Sequence, residues 1–172
     1  MRTWIPALLL VVGCAAPPVP LPPQEAPGKS VRVAAIQPKP RLIPANLGIE
    51  DVPARLEKTL DELTGLLERA SREGCRVAAL PEDTLGLGEW EAAHPKELNG
   101  LLARAVPLML ERLGRAAAAL RMTVVCCNDS AAPNGRVRNT AFLIGPDGRE
   151  IGRYDKVGMP LQEMHKERGT TF

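Results

Sequence analysis

Apolar and polar positions recur along the chain with two different periods, and the changes of period mark the elements. Val31-Arg32-Val33-Ala34-Ala35-Ile36 is a short apolar, β-branched segment closed by Gln37-Pro38, as a strand entering a sheet would be. Leu56, Leu60, Leu63, Leu67 and Ala70 then follow at intervals of 4, 3, 4 and 3, with Glu57, Lys58, Asp61, Glu62, Glu68 and Arg69 between them. That spacing places the five on one stripe of a helix, and Gly74 supplies its stop. Residues 75–80 predict a second strand, ending at Pro81-Glu82. A second helical pattern runs from about 95 to 120, carried by Leu98, Leu101, Leu102, Ala105, Leu108, Met109, Arg112, Leu113 and the alanines 116–119. Residues 123–127 form a third strand. Beyond the turn residues Pro133-Asn134-Gly135, segments 139–144 and 149–154, joined by Gly145-Pro146-Asp147-Gly148, predict a hairpin. Strand, helix, strand, helix, strand and hairpin in that order make a layered α/β domain with a mixed sheet. The leucine stripes read as core faces, being only about three turns long.

The N-terminal stretch is different in kind. Arg2 precedes an apolar run over 7–12, and Val11-Val12-Gly13-Cys14 follows with small residues before the cysteine. The run is far shorter than the ~20 apolar residues that span a membrane, and its order is that of a cleaved signal. It resembles a bacterial lipoprotein signal over residues 1–13, with Cys14 as the lipidated first residue of the mature chain. Six prolines lie between Pro17 and Pro27, so 14–28 reads as a stiff extended tether at about 3.1 Å per residue. The expectation is a membrane-anchored lipoprotein on the periplasmic or extracytoplasmic face. That leaves 29–172 for the folded domain.

Composition narrows the function. Of the 172 residues 45% are hydrophobic and 24% charged, which excludes a disordered chain, and aromatics are only 3%, so Leu, Val, Ile and Ala must build the core. A net charge of +2 with no cluster of cations sets nucleic acid aside. The chain holds no GxGxxG, P-loop, CxxC pair or HExxH, so no phosphate, dinucleotide or zinc signal is present and neither metal nor organic cofactor is implied.

Candidate chemistry sits at strand ends, where open α/β sheets gather reactive side chains. Glu82 leaves the strand Val77-Ala78-Ala79-Leu80 through Pro81, at the edge of the apolar core, where desolvation would raise its pKa towards the range useful for proton transfer. Lys156 is placed similarly after Ile151-Gly152-Arg153-Tyr154. Taken singly, each is more often a surface charge. His94 and His165 are expected as solvated loop histidines.

In order and spacing these segments resemble the carbon–nitrogen hydrolase (nitrilase) superfamily. The resemblance rests on Val31 to Gln37 as first strand, Leu80-Pro81-Glu82, and Asn139-Thr140-Ala141-Phe142-Leu143-Ile144 running through Gly148 to Gly152-Arg153-Tyr154-Asp155-Lys156-Val157. It implies an αββα sandwich and hydrolysis of non-peptide carbon–nitrogen bonds, in a small amide or nitrile substrate, by a Glu–Lys–Cys set. Glu82 would be the general base and Lys156 would stabilise the tetrahedral oxyanion. A cysteine would form the thioester. A second Glu follows the lysine in many members; Glu163 is the nearest candidate and Glu167 the other, and both also read as plain surface residues. The resemblance also implies dimers or larger assemblies.

The nucleophile does not match. All four cysteines (Cys14, Cys75, Cys126, Cys127) precede Lys156, whereas the family's follows its lysine. Cys75 reads as opening a strand and Cys126-Cys127 as ending one, all three as small buried hydrophobes. The expectation is therefore a sandwich truncated after its first half, without the nucleophilic cysteine, and inactive and aggregation-prone alone. Two alternatives accompany the hydrolase: an acyltransferase of the same superfamily, and a non-catalytic lipoprotein that keeps the fold.

Overall fold

The computed structural model describes residues 30–39 and 41–169. The signal, Cys14 and the proline-rich tether lie outside the described residues. Strand β1 (Val33–Ala35) leads into helix α1 (Val52–Arg72), then β2 (Val77–Ala79), a short helix α2 (Gly88–Ala93), the long helix α3 (Leu98–Leu120), and strands β3 (Thr123–Ala131), β4 (Val137–Ile144) and β5 (Glu150–Asp155). A 3-10 turn over Leu161–Glu163 follows.

The five strands form one sheet in chain order, β1-β2-β3-β4-β5. β1, β2 and β3 are parallel, as helical crossovers require, and β3–β4 and β4–β5 are antiparallel, as hairpins require. This is the mixed α/β sheet that the pattern predicted. The core lies between the helices and one face of the sheet. Leu56, Leu60, Leu63, Leu67 and Ala70 of α1 and Leu101, Leu102, Met109 and Leu113 of α3 pack with Ala78, Val124, Cys126, Phe142 and Ile144. Each large apolar side chain buried this way contributes about 1.5–3 kcal/mol. At the rim Arg112 of α3 pairs with both Glu57 and Asp61 of α1, which fixes the two helices side by side. α3 also meets the β4–β5 turn at backbone contact. A Cβ on Gly114 would lie 2.6 Å from the Gly148 carbonyl oxygen, and Gly148 itself holds φ +83°, so both positions need glycine.

The other face carries Val33, Val77, Ala79, Val125, Ala141 and Leu143, which are half-buried or exposed and lie outside the core cluster. Among the described residues no helix is long and apolar enough to cross a membrane.

The elements depart from the predicted pattern in four places. Between the second strand and the second long helix, where no element is predicted, α2 forms because Trp90, fully buried, anchors it and donates from Nε1 to the Leu47 carbonyl at 3.0 Å. The helix expected from about 95 begins at Leu98. β3 does not end at Cys126-Cys127 but continues to Ala131. Asn128, Asp129 and Ser130 carry turn propensity, but pairing with Thr140, Asn139 and Arg138 of β4 overrides it. Cys75 likewise precedes β2 rather than opening it.

Candidate active site

The sheet brings four chain segments to one end. β2 and β3 finish there, the antiparallel β4 starts there, and β5 returns to it, so residues distant in sequence converge. After β2 the chain stays on β3: Leu80 N donates to Val125 O and Thr84 N to Cys127 O, both at 2.9 Å. The Thr84 hydroxyl donates to the Pro81 carbonyl at 2.8 Å and accepts from Cys127 N at 3.1 Å. Glu82 sits at the apex of this clamped turn.

Lys156 follows β5 directly, and its backbone N donates to the Asn139 carbonyl at 2.9 Å, extending the β4–β5 ladder by one residue. Its Nζ lies 2.8 Å from Glu82 Oε1 and 3.0 Å from Glu163 Oε2. Glu163 is delivered by the 3-10 turn. The chain after it is tied back through Glu167 N to Val137 O at 2.7 Å and Gly169 N to Lys156 O at 2.9 Å. Of the two glutamates after the lysine, Glu163 is the one brought to it. Glu167 faces away and pairs with Arg138 and Asn134.

The charges follow from these contacts. Two carboxylates push the Lys156 ammonium up to about 12, chiefly through the hydrogen bonds to Glu82 and Glu163. Glu82 is held below its ordinary value, first by the Lys156 hydrogen bond, which outweighs desolvation. The expected upward shift of Glu82 is thus reversed, because its side chain is 61% exposed and a cation touches it. At neutral pH Glu82 is an ionised base and Lys156 a full cation.

Sequence reasoning missed three neighbours. Asn139, buried in β4, donates from Nδ2 to Glu82 Oε1 at 3.0 Å. The Cys127 thiol donates to Asn139 Oδ1 at 3.3 Å. Glu91, on the unpredicted helix α2, faces Asp129; burial first and the Asp129 carboxylate second push it up to about 9, so it is neutral at pH 7. Asn139 lay inside a quoted motif, but an amide within a strand gives no signal of where it points. α2 is set by Asp83, whose two carboxylate oxygens accept from Leu87 N and Gly88 N at 2.9 Å. A cavity of about 240 Å³ opens between these groups, lined by the carboxyls of Glu82, Asp83, Glu91, Asp129 and Glu163 with Lys166. Lys166 Nζ lies 2.5 Å from Asp129 Oδ2.

Neither Cys126 nor Cys127 offers a thiolate at neutral pH. Cys75 and Cys126 are buried, and burial pushes the Cys126 thiol up to about 12. Cys127 is pushed up to about 11, by burial and then by Glu82. Among the described residues no group of three or more His, Cys, Asp or Glu is placed to hold a metal ion. His94 is not a solvated loop residue: its ring stacks on Trp90 with centroids 4.4 Å apart, and its Nε2 lies 2.9 Å from the Ala45 carbonyl oxygen. His165 is exposed.

Comparison with known proteins identifies the family and the fold. The family model described as carbon–nitrogen hydrolase matches residues 32–171. A deaminated glutathione amidase of Synechocystis sp. is 28% identical over 120 residues, covering 68% of this chain and 42% of the relative, so the chain spans less than half of that protein's length. Among solved structures, a variant amidase from Nesterenkonia sp. AN1, with acrylamide added at its active-site cysteine, superposes with a TM-score of 0.62 at 20% identity, over 83% of this chain and 51% of that one. A carbon–nitrogen hydrolase from Helicobacter pylori G27 gives 0.63 at 16% identity, over 81% and 45%. At such identities these likenesses concern the fold.

Proposed function

The chain belongs to the carbon–nitrogen hydrolase family, and from that premise we propose that it serves hydrolysis of a small non-peptide amide through a thioester acyl-enzyme. Glu82 is the general base, Lys156 stabilises the oxyanion, and Glu163 holds the lysine. The observation that carries the reading is the placing of Lys156 Nζ between Glu82 Oε1 and Glu163 Oε2, at 2.8 and 3.0 Å. A cation held by two carboxylates keeps its charge and its direction while a third proton remains for a developing oxyanion.

The attacking thiol in this reading is a cysteine that follows the lysine, as the family resemblance implies, and is none of Cys14, Cys75, Cys126 and Cys127. Two observations support that: all four cysteines here precede the lysine, and the described ones are buried or firmly protonated. Glu82 takes the thiol proton as sulfur attacks the amide carbon, and the carbonyl oxygen becomes the anion facing Lys156. Collapse breaks the C–N bond, and Glu82 returns the proton to the leaving amine. A water, deprotonated by Glu82, then cleaves the thioester to a carboxylic acid and restores the thiol. An amide is favoured over a nitrile because relatives on both sides of the comparison are named amidases.

The test is amide turnover by the intact protein as its host makes it. Glu82→Gln and Lys156→Ala should each lower kcat by at least ~10²-fold, with the acyl thioester trapped and identified by mass spectrometry. Unchanged hydrolysis in either variant defeats the assignment.

A further inference from the structure

We propose that Asn139 is a positioning residue for Glu82: its amide binds Oε1 and so leaves Oε2 as the oxygen that carries the proton. The proposal rests on the base role given to Glu82 above.

Asn139 is 7% exposed and sits in the β3–β4 ladder opposite Asp129. It makes two contacts with the site, by different atoms. Its carbonyl accepts from Lys156 N at 2.9 Å and its Nδ2 donates to Glu82 Oε1 at 3.0 Å. One rigid residue thereby sets the root of the lysine and the head of the glutamate. Lys156 Nζ reaches the same Oε1, at 2.8 Å. Both bonds fall on one oxygen, and among the described residues no hydrogen bond reaches Oε2. A carboxylate held in this way presents one bound, charge-stabilised oxygen and one open oxygen, which is the arrangement a directed proton acceptor needs.

The orientation of the amide is fixed by chemistry at both ends. Turned over, it would press Oδ1 against a carboxylate that has no proton to give. In the observed sense Oδ1 accepts from the Cys127 thiol at 3.3 Å. Cys127 and Asn139 lie on the same face of neighbouring strands, since Cys127 pairs with Ala141 and Asn139 is two residues along. The thiol is a donor only while protonated, and it is protonated at neutral pH. The charged groups acting on Glu82 are Lys156 after β5 and, at longer range, Lys166 beyond the 3-10 turn; β3 contributes the neutral thiol of Cys127. Asn139 adds to them a neutral donor, so it favours the carboxylate without competing with Lys156 for an incoming oxyanion.

The experiment follows the Glu82 carboxyl resonance by NMR in the full chain, assigned with Glu82→Gln. Asn139→Ala should move its titration upward by about half to one pH unit, the value of one hydrogen bond to the charged form. Asn139→Asp, which keeps the shape but places a second carboxylate there, should move it further. An unmoved titration in folded Asn139→Ala overturns the proposal. Where that variant fails to fold, the same result in Asn139→Asp overturns it. In amide turnover by the intact protein, Asn139→Ala should lower kcat about 10-fold with KM unchanged, and the acid limb of its pH profile should rise with the NMR titration. A loss of activity without that movement of the acid limb marks a merely structural role and overturns the proposal. If Glu82→Gln leaves turnover intact while Asn139→Ala still moves the Glu82 titration, the base role falls and the contact between the two residues stands, so the two failures are told apart.

Discussion

Glu91 and Glu82 share one cavity and are driven in opposite directions. Glu82 touches a cation and is open to water; Glu91 is turned towards Asp129, with Asp83 nearby and the more distant Lys166 too weak to compensate. The stability consequences have opposite signs. Glu82 contributes stability that is present above pH 4.5 and fades as the pH falls through its lowered folded value, an effect that solvent screens strongly. Lys156 contributes stability that is present below 10.5 and fades as pH rises through about 12. For Glu91 the unfolded chain releases its proton near 4.5 while the folded chain keeps it to about 9, so stability falls as pH rises across that window. Glu91→Gln should therefore stabilise at pH 8 by about 1–2 kcal/mol and give no gain at pH 4. Thermal melts at the two pH values decide it, and an equal effect at both means that Glu91 is an ordinary ionised carboxylate.

Among the elements, α3 ends with a local conflict. Its C-cap, Arg121, holds φ 49° and ψ 46°, the left-handed region, among the described residues the one non-glycine with positive φ. Met122 N reaches back to Ala117 O at 3.0 Å, so the cap geometry is real although the customary glycine is missing. A Cβ in that conformation costs roughly 1–2 kcal/mol, and glycine's freedom in the unfolded chain returns part of it. Arg121→Gly should raise stability by about 0.5–1 kcal/mol, seen as a rise in Tm of about 2 °C. A lowered Tm would mean that the arginine side chain makes a compensating contact. The same level separates what was legible in the sequence from what was not. α1 and α3 could be read because Leu56 to Leu67 and Leu98 to Leu113 repeat at helical spacing, β1 to β4 because each holds a short apolar run bounded by turn residues, and β5 because the turn Gly145-Pro146-Asp147-Gly148 makes it the second arm of a hairpin. α2 could not, because six residues around one buried Trp90 have no period to detect. The far half of β3 was hidden because Asn128 and Asp129 are strand residues only by virtue of their partners: Asn128 Oδ1 accepts from Leu85 N at 3.0 Å, a contact spanning 43 positions. Glu82, Lys156 and Glu163, which motif order singled out, do lie together. Asn139, Cys127 and Glu91 matter through what they face, and facing is a property of the assembled sheet.

For the molecule as a whole, the sheet is apolar on both faces but packed on only one among the described residues. Val33, Val77, Val125 and Leu143 form a continuous patch across four strands, larger than isolated exposed hydrophobics and of the kind that drives association. The 172-residue chain should self-associate with rising concentration in sedimentation experiments, and Val33→Lys with Val125→Lys should return it towards monomer without lowering its melt. A wild-type monomer across the concentration range would show that the patch is tolerated. The strand order has a temporal meaning as well. Because each of the five described strands after the first pairs with the one synthesised just before it, this part of the sheet can grow from one edge as the polypeptide leaves the ribosome. Glu82 and Asn139 would then meet early, while Lys156 and Glu163 arrive later. A nascent chain would hold the acid half of its ion pair for many seconds before the cation that neutralises it is translated, so the site closes only after the scaffold that positions it has been built.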